Sequence, residues 1–258
     1  MTATNGSRAL PREVRLLVLT MGLGGGAVVV WRLVQAASWG ARDLGGWALL
    51  AAGIAVAELV PVRLSFRTER IAFSVTEAVW VAGLMAARPS VIGLAVAAGV
   101  FAGHGARRKP LPKLVFNTGQ FVLSVSAAQA VYGLFHPSAR PSATGWLASV
   151  AGVAVYAVVN SGSVAAVVAG IEQLPFRSVL LPPLGANALH YLGNASIGLA
   201  GATMWSTSAF AIPVVGVLLV LAFVTYRTVL DTVQRTRLVA LRVQVRTPER
   251  AWRPATIS

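Results

Sequence analysis

The chain contains no cysteine. Disulfides, thiolate metal cages and cysteine nucleophiles are therefore excluded from any account of it. Charge is scarce as well: 12% of the 258 residues are Asp, Glu, Lys or Arg, against about 25% in an ordinary soluble domain. Acids number eight and histidines three. So thin a set of ligands predicts no transition-metal site. The HExxH, GxSxG and Walker A patterns are absent too. Glu77 and His190 form an acid and base pair on paper, but no nucleophile or metal set accompanies them. The expectation is a non-enzymatic chain with no catalytic residues and no cofactor.

Apolar residues fill the space that charge leaves. They make up 56% of the chain, and the mean hydropathy is +0.70. A membrane-spanning helix needs about 20 mainly apolar residues. Eight such runs are legible, at 14–36, 44–62, 71–87, 90–105, 113–135, 146–171, 181–205 and 208–227. The third and fourth are short and separated only by Arg88-Pro89. The predicted fold class is all-α, a polytopic transmembrane helix bundle. Residues 1–13 form an N-terminal segment, 14–227 the bundle, and 228–258 a basic C-terminal helix and tail. Ala36 and Ala37 follow the apolar stretch Leu16 to Val34 and would suit signal cleavage. The length of that run and the spans behind it favour an uncleaved first helix.

The basic residues orient this arrangement. With the N-terminus inside, only Arg32, Arg42, Arg88 and Arg140 fall on the outer side, and the remaining 18 of 22 lie inside. Positive loops stay cytoplasmic, so both termini are expected in the cytoplasm of a cell with an inner membrane. The net charge of +14 sits in short clusters between apolar runs. That distribution suits anionic lipid headgroups rather than nucleic acid. The bilayer itself is thus the first expected partner.

Polar residues inside the runs need partners within the protein, because lipid offers none. Asn117, Gln120 and Ser124 share one face of the fifth run, and Asn187, His190 and Asn194 share one face of the seventh. Asn160, Ser161 and Ser163 stand in the sixth, Glu77 in the third and Glu58 in the second. The candidate ligand-binding layer is Glu77, Asn117, Gln120, Asn160, Asn187, His190 and Asn194. The competing reading is hydrogen-bonded glue between helices. Glu58 is expected to pair with Arg63 or Arg67, and His104 to be interfacial. The Gly99-to-Gly103 repeat is of a kind that 25 glycines produce by chance.

The stretch ERIAFSVTEAVWVAGL, the basic loop RRKPLPK and the run LVFNTGQFVLSVSAAQAVYGLF carry a resemblance. They resemble the multi-helix membrane sensor region found N-terminal to GGDEF- or HD-type output domains in bacterial signalling proteins. Ser74 and Glu77 match its S-x-x-E segment; Lys113, Phe116, Asn117 and Gln120 match its Lys…Phe-Asn-x-x-Gln opening. The likeness extends over about residues 44 to 235. It implies a sensory membrane module. No GGDEF, EAL or HD signature stands in the tail, so cyclic-dinucleotide chemistry is not expected of it. A signal would pass through the C-terminal helix to a separate cytoplasmic or membrane partner, and a homodimer is compatible with the layout. The alternative expectation is a small-solute transporter or its substrate-binding subunit, with the polar layer lining the path.

Overall fold

The structure is a computed structural model that describes residues 10–60, 62–66, 69–137 and 141–208. Among these are seven helices and one two-stranded hairpin. In chain order they are α1 (Arg12–Ala36), α2 (Ala41–Leu59), β1 (Val62–Phe66), β2 (Glu69–Phe73), α3 (Thr76–Ala86), α4 (Pro89–Ala106), α5 (Leu111–Leu134), α6 (Ala143–Glu172) and α7 (Phe176–Thr207). The expected eighth run, all but its first residue, and the C-terminal helix lie outside the described residues.

Four helices, α1, α4, α5 and α6, are long and apolar enough to cross a membrane. Their surfaces agree with that reading. Leu16, Leu19, Leu23, Val30, Leu33 and Val34 of α1 are all exposed, a contiguous apolar face of the kind that water does not tolerate.

Short-range signals set the ends. Pro89 opens α4, and Pro112 stands in the first turn of α5, where a missing N–H costs nothing. Ser142 caps α6 by accepting from the Gly145 N–H at 3.1 Å. At the other end of α6, Gln173 adopts a left-handed conformation and closes the helix.

Two boundaries differ from the sequence expectation. The third run, 71–87, begins as a strand: β1 and β2 pair antiparallel from Val62↔Phe73 to Phe66↔Glu69, and α3 starts only at Thr76. The alternation V-R-L-S-F and E-R-I-A-F has the period of a strand rather than of a helix. At about 16 Å, α3 is too short to cross a bilayer by itself. The seventh helix starts at Phe176, so Pro182 and Pro183 fall inside it rather than at its head. Their missing N–H groups leave the Ser178 and Val179 carbonyls without the usual helical donor.

The helices alternate in direction. Val14 meets Gly170 at the near end of the bundle, where α1 begins, and Arg32 meets Gln129 at the far end. Between them runs a core of Ile54, Trp80, Ile92, Val96, Val122 and Tyr156 with their neighbours. Glycines let the backbones approach. A Cβ on Gly25 would collide with the Gly119 backbone, and one on Gly119 with the Met21 carbonyl, so α1 and α5 touch main chain to main chain. Gly99 and Gly103 seat α2: added Cβ atoms would lie 2.7 Å from the Ala51 carbonyl oxygen and 2.6 Å from the Glu58 Cβ. The repeat that chance would explain is therefore a working contact here, of the small-residue type used between membrane helices. Gly198 does the same for α7 against the Ala78 carbonyl of α3, at 2.5 Å.

Candidate functional site

Gly103 has a direct consequence for chemistry. By admitting the Glu58 side chain, it places the carboxylate beside His104, one residue further along α4. Glu58 Oε2 lies 2.8 Å from His104 Nε2, and Glu58 Oε1 accepts from the Thr76 hydroxyl at 2.7 Å. All three residues are buried. His104 Nδ1 is enclosed and has no partner among the described residues. A hydrogen on Nε2 lets the ring donate to the Glu58 carboxylate, which only accepts when ionised. Glu58 thus meets His104, while the expected pairing with Arg63 or Arg67 involves side chains outside the described residues, and His104 is a core residue at 3% exposure rather than an interfacial one. Arg107 reaches back to donate to the Glu58 backbone carbonyl at 3.2 Å. Lys109, in the turn before α5, has its pKa lowered by burial and next by Arg107, while Glu58 pulls it the other way.

The start of α3 links this pair to a second one. With the Thr76 hydrogen given to Glu58, the Ser74 hydroxyl donates its own to Thr76 Oγ1 at 2.6 Å and has the Ala57 carbonyl 3.2 Å away. The Thr76 N–H in turn donates to the Ser74 hydroxyl. The Ser74 carbonyl accepts from Asn194 Nδ2 at 2.9 Å, and the same amide nitrogen is 2.8 Å from Glu77 Oε2. Glu77 occupies the first turn of α3, where the helix presents its positive end. Tyr156 of α6 donates to its other oxygen at 3.2 Å. His190 Nε2 completes the group, 3.6 Å from Glu77 Oε2 and 3.2 Å from Asn194 Nδ2.

A third group lies alongside. Gln120 of α5 donates through Nε2 to the Asn160 side-chain oxygen and to the Asn160 carbonyl on α6. Asn160 Nδ2 donates to the Tyr191 hydroxyl of α7 at 3.2 Å, and Ser161 is 3.3 Å from the same hydroxyl. Tyr191 packs edge-on against Tyr156, with centroids 6.0 Å apart. Ser124 turns back to its own helix, donating to the Gln120 carbonyl.

The candidate layer thus separates by geometry. Glu77, His190 and Asn194 meet in one group, and Gln120 and Asn160 in another. Asn117 and Asn187 are half-buried and have no hydrogen-bond partner among the described residues. The layer also lies deeper than expected along the long helices: His190 is about 21 Å from the start of α7, and Asn160 about 18 Å from the end of α6.

Sequence reasoning missed Tyr156, Tyr191, Thr76 and the Glu58–His104 pair. Two of these left a signal. Tyr156 is four residues before Asn160 and shares its face, and Tyr191 sits between His190 and Asn194.

Substitutions should distinguish the two kinds of asparagine and glutamine. Gln120→Leu strands the Asn160 acceptors, a loss of about 1 kcal/mol that lowers Tm by about 2–4 °C. Asn117→Leu removes no bond and should leave Tm within about 1 °C. Thermal melts of the detergent-solubilised protein read both.

In chemical terms the arrangement is two carboxylates, each against an imidazole from another helix, joined by hydroxyls and an amide. It gathers ionisable groups in the interior and ties α2, α3, α4, α6 and α7 together. Comparison of the chain with protein-family models, with curated proteins and with solved structures finds no match in any of the three.

Proposed function

We propose that the chain is a multi-pass inner-membrane protein of sensory type, with both termini cytoplasmic. A ligand or the state of the membrane biases the bundle through the Glu77–His190–Asn194 group. The segment 228–258 passes the change to a partner. One observation carries this reading: the buried ionisable groups Glu58, Glu77 and His104 on α2, α3 and α4 share a hydrogen-bonded chain through Ser74, Thr76 and Asn194 of α7, with half-buried His190 3.6 Å from Glu77. Ionisable groups inside a membrane bundle are costly, and they mark functional positions. A network that touches five helices also has a means of moving them against one another.

The test uses the absence of cysteine. Thr236→Cys places one thiol in the C-terminal segment of the full chain, reconstituted in lipid nanodiscs. Glu77→Gln keeps the shape and removes the ionisable group. It should change the maleimide labelling rate at residue 236 by at least about threefold, as a shifted two-state population would. Equal rates with and without Glu77→Gln, and again with Glu58→Gln, would sink the coupling between network and tail.

A further inference from the structure

The far end of the bundle carries a different anomaly. Arg32, near the end of α1, is 6% exposed, and it has no carboxylate partner among the described residues. Its terminal nitrogens donate to two amide oxygens, Gln35 Oε1 at 3.1 Å and Gln129 Oε1 at 2.8 Å. Gln129 is turned to present that oxygen, because its own Nε2 donates to the Pro89 carbonyl at 3.1 Å. The Trp31 ring lies 4.4 Å from the guanidinium carbon. Gly93 makes room for the stem; a Cβ there would come within 3.3 Å of Arg32 Cγ.

These contacts hold the guanidinium without neutralising it. Of its five N–H donors, two are used by the described residues, and Nε is enclosed with no partner among them. Neutral amides and one ring face offset only part of the cost of removing a guanidinium from water. The surroundings do not supply the missing charge. Among the described residues at this end, Arg32, Arg42 and Arg88 are matched by one acid, Asp43. That acid is engaged with Arg88 at 3.6 Å and with the Gly40 N–H at 3.2 Å.

We infer that Arg32, positioned by Gln129 and Gln35, is the anchor of an oxyanion site at the far end of the bundle, taking a phosphate group. The two unclaimed N–H groups on the terminal nitrogens supply the charge-assisted bonds that a phosphate accepts. The site does not draw on the Glu58 and Glu77 network, which lies nearer the other end of α2 and α4. The phosphate belongs either to a lipid headgroup or to a free solute, and the test separates them.

Delipidated protein in a neutral detergent is melted with inorganic phosphate, with phosphatidylglycerol doped into the micelles, and with potassium chloride at matched ionic strength. One of the first two should raise Tm by about 4 °C over the chloride control. A response to phosphate marks a free oxyanion, and a response to phosphatidylglycerol alone marks the headgroup. Arg32→Gln should abolish the response. Gln129→Glu keeps the arginine and supplies the missing charge from within, so it should raise Tm without any added anion and also abolish the response. That variant keeps the test decisive should Arg32→Gln fail to fold. No response to either additive, an unchanged response in Arg32→Gln, or a Gln129→Glu variant that loses stability and still responds would each overturn the site.

Discussion

Gly119→Val is expected to lower the melting temperature of the detergent-solubilised protein by about 10 °C. The reason lies in main-chain contact. Gly119 on α5 faces the Met21 carbonyl and Gly22 on α1, and Gly25 faces Gly119 in return. Overpacking normally costs about 1–3 kcal/mol because side chains move aside. Here backbone would have to move, so about 3 kcal/mol or more is expected, which at this chain length gives the stated shift. Gly26, where an added Cβ meets nothing, is the control, and Gly26→Ala should leave Tm unchanged or slightly raised. Comparable losses at both positions would remove the case for close α1–α5 packing.

His104→Leu is expected to cost about 3 kcal/mol, because it leaves the Glu58 carboxylate buried with only the Thr76 hydroxyl and more distant charge around it. Leucine fills much of the ring's space, so packing loss is the smaller part. The sharper statement concerns the double variant. Glu58→Leu with His104→Leu replaces both polar partners by apolar groups, and it should be more stable than His104→Leu alone by about 1–3 kcal/mol. Strict additivity of the two single effects would show that the 2.8 Å contact carries no coupling. The measurement is a double-mutant cycle by denaturant or thermal unfolding in one detergent.

The helices were legible where long apolar runs gave them away. Residues 90–105, 113–135 and 146–171 match α4, α5 and α6 within a few residues. Residues 62–73 were not, because Val62 closes one apolar run and Ile71 to Phe73 open the next, with Arg63, Arg67 and Arg70 reading as a loop between them, and only the two-residue period separates a strand from a span. The start of α7 was misplaced for a related reason. A Pro-Pro pair looks like a helix opening, and nothing local in the sequence says that the helix continues behind it. At the site, the shared faces could be read from i, i+3 and i+7 spacing. Which face meets which depends on helix order and depth, and Glu58 illustrates this. Its sequence offers only the nearby Arg63 and Arg67 as partners, whereas Gly103 opens α4 to it and brings His104 from 46 residues away. Arg32 was counted only as an outer charge. Its burial depends on Gly93 and Gln129, two helices distant in the chain.

In the proposed function the ionisable network lies toward the cytoplasmic end of a membrane-embedded bundle. Ser38, in the turn after α1, and Ser178, in the first turn of α7, are both exposed and stand at opposite ends. Each becomes the only thiol in the chain when replaced by cysteine. In intact cells treated with a membrane-impermeant maleimide, Ser38→Cys should label at once, and Ser178→Cys only after the membrane is opened. Labelling of Ser178→Cys in intact cells, with Ser38→Cys protected, would invert the orientation and put Glu58, Glu77 and their histidines toward the outer side.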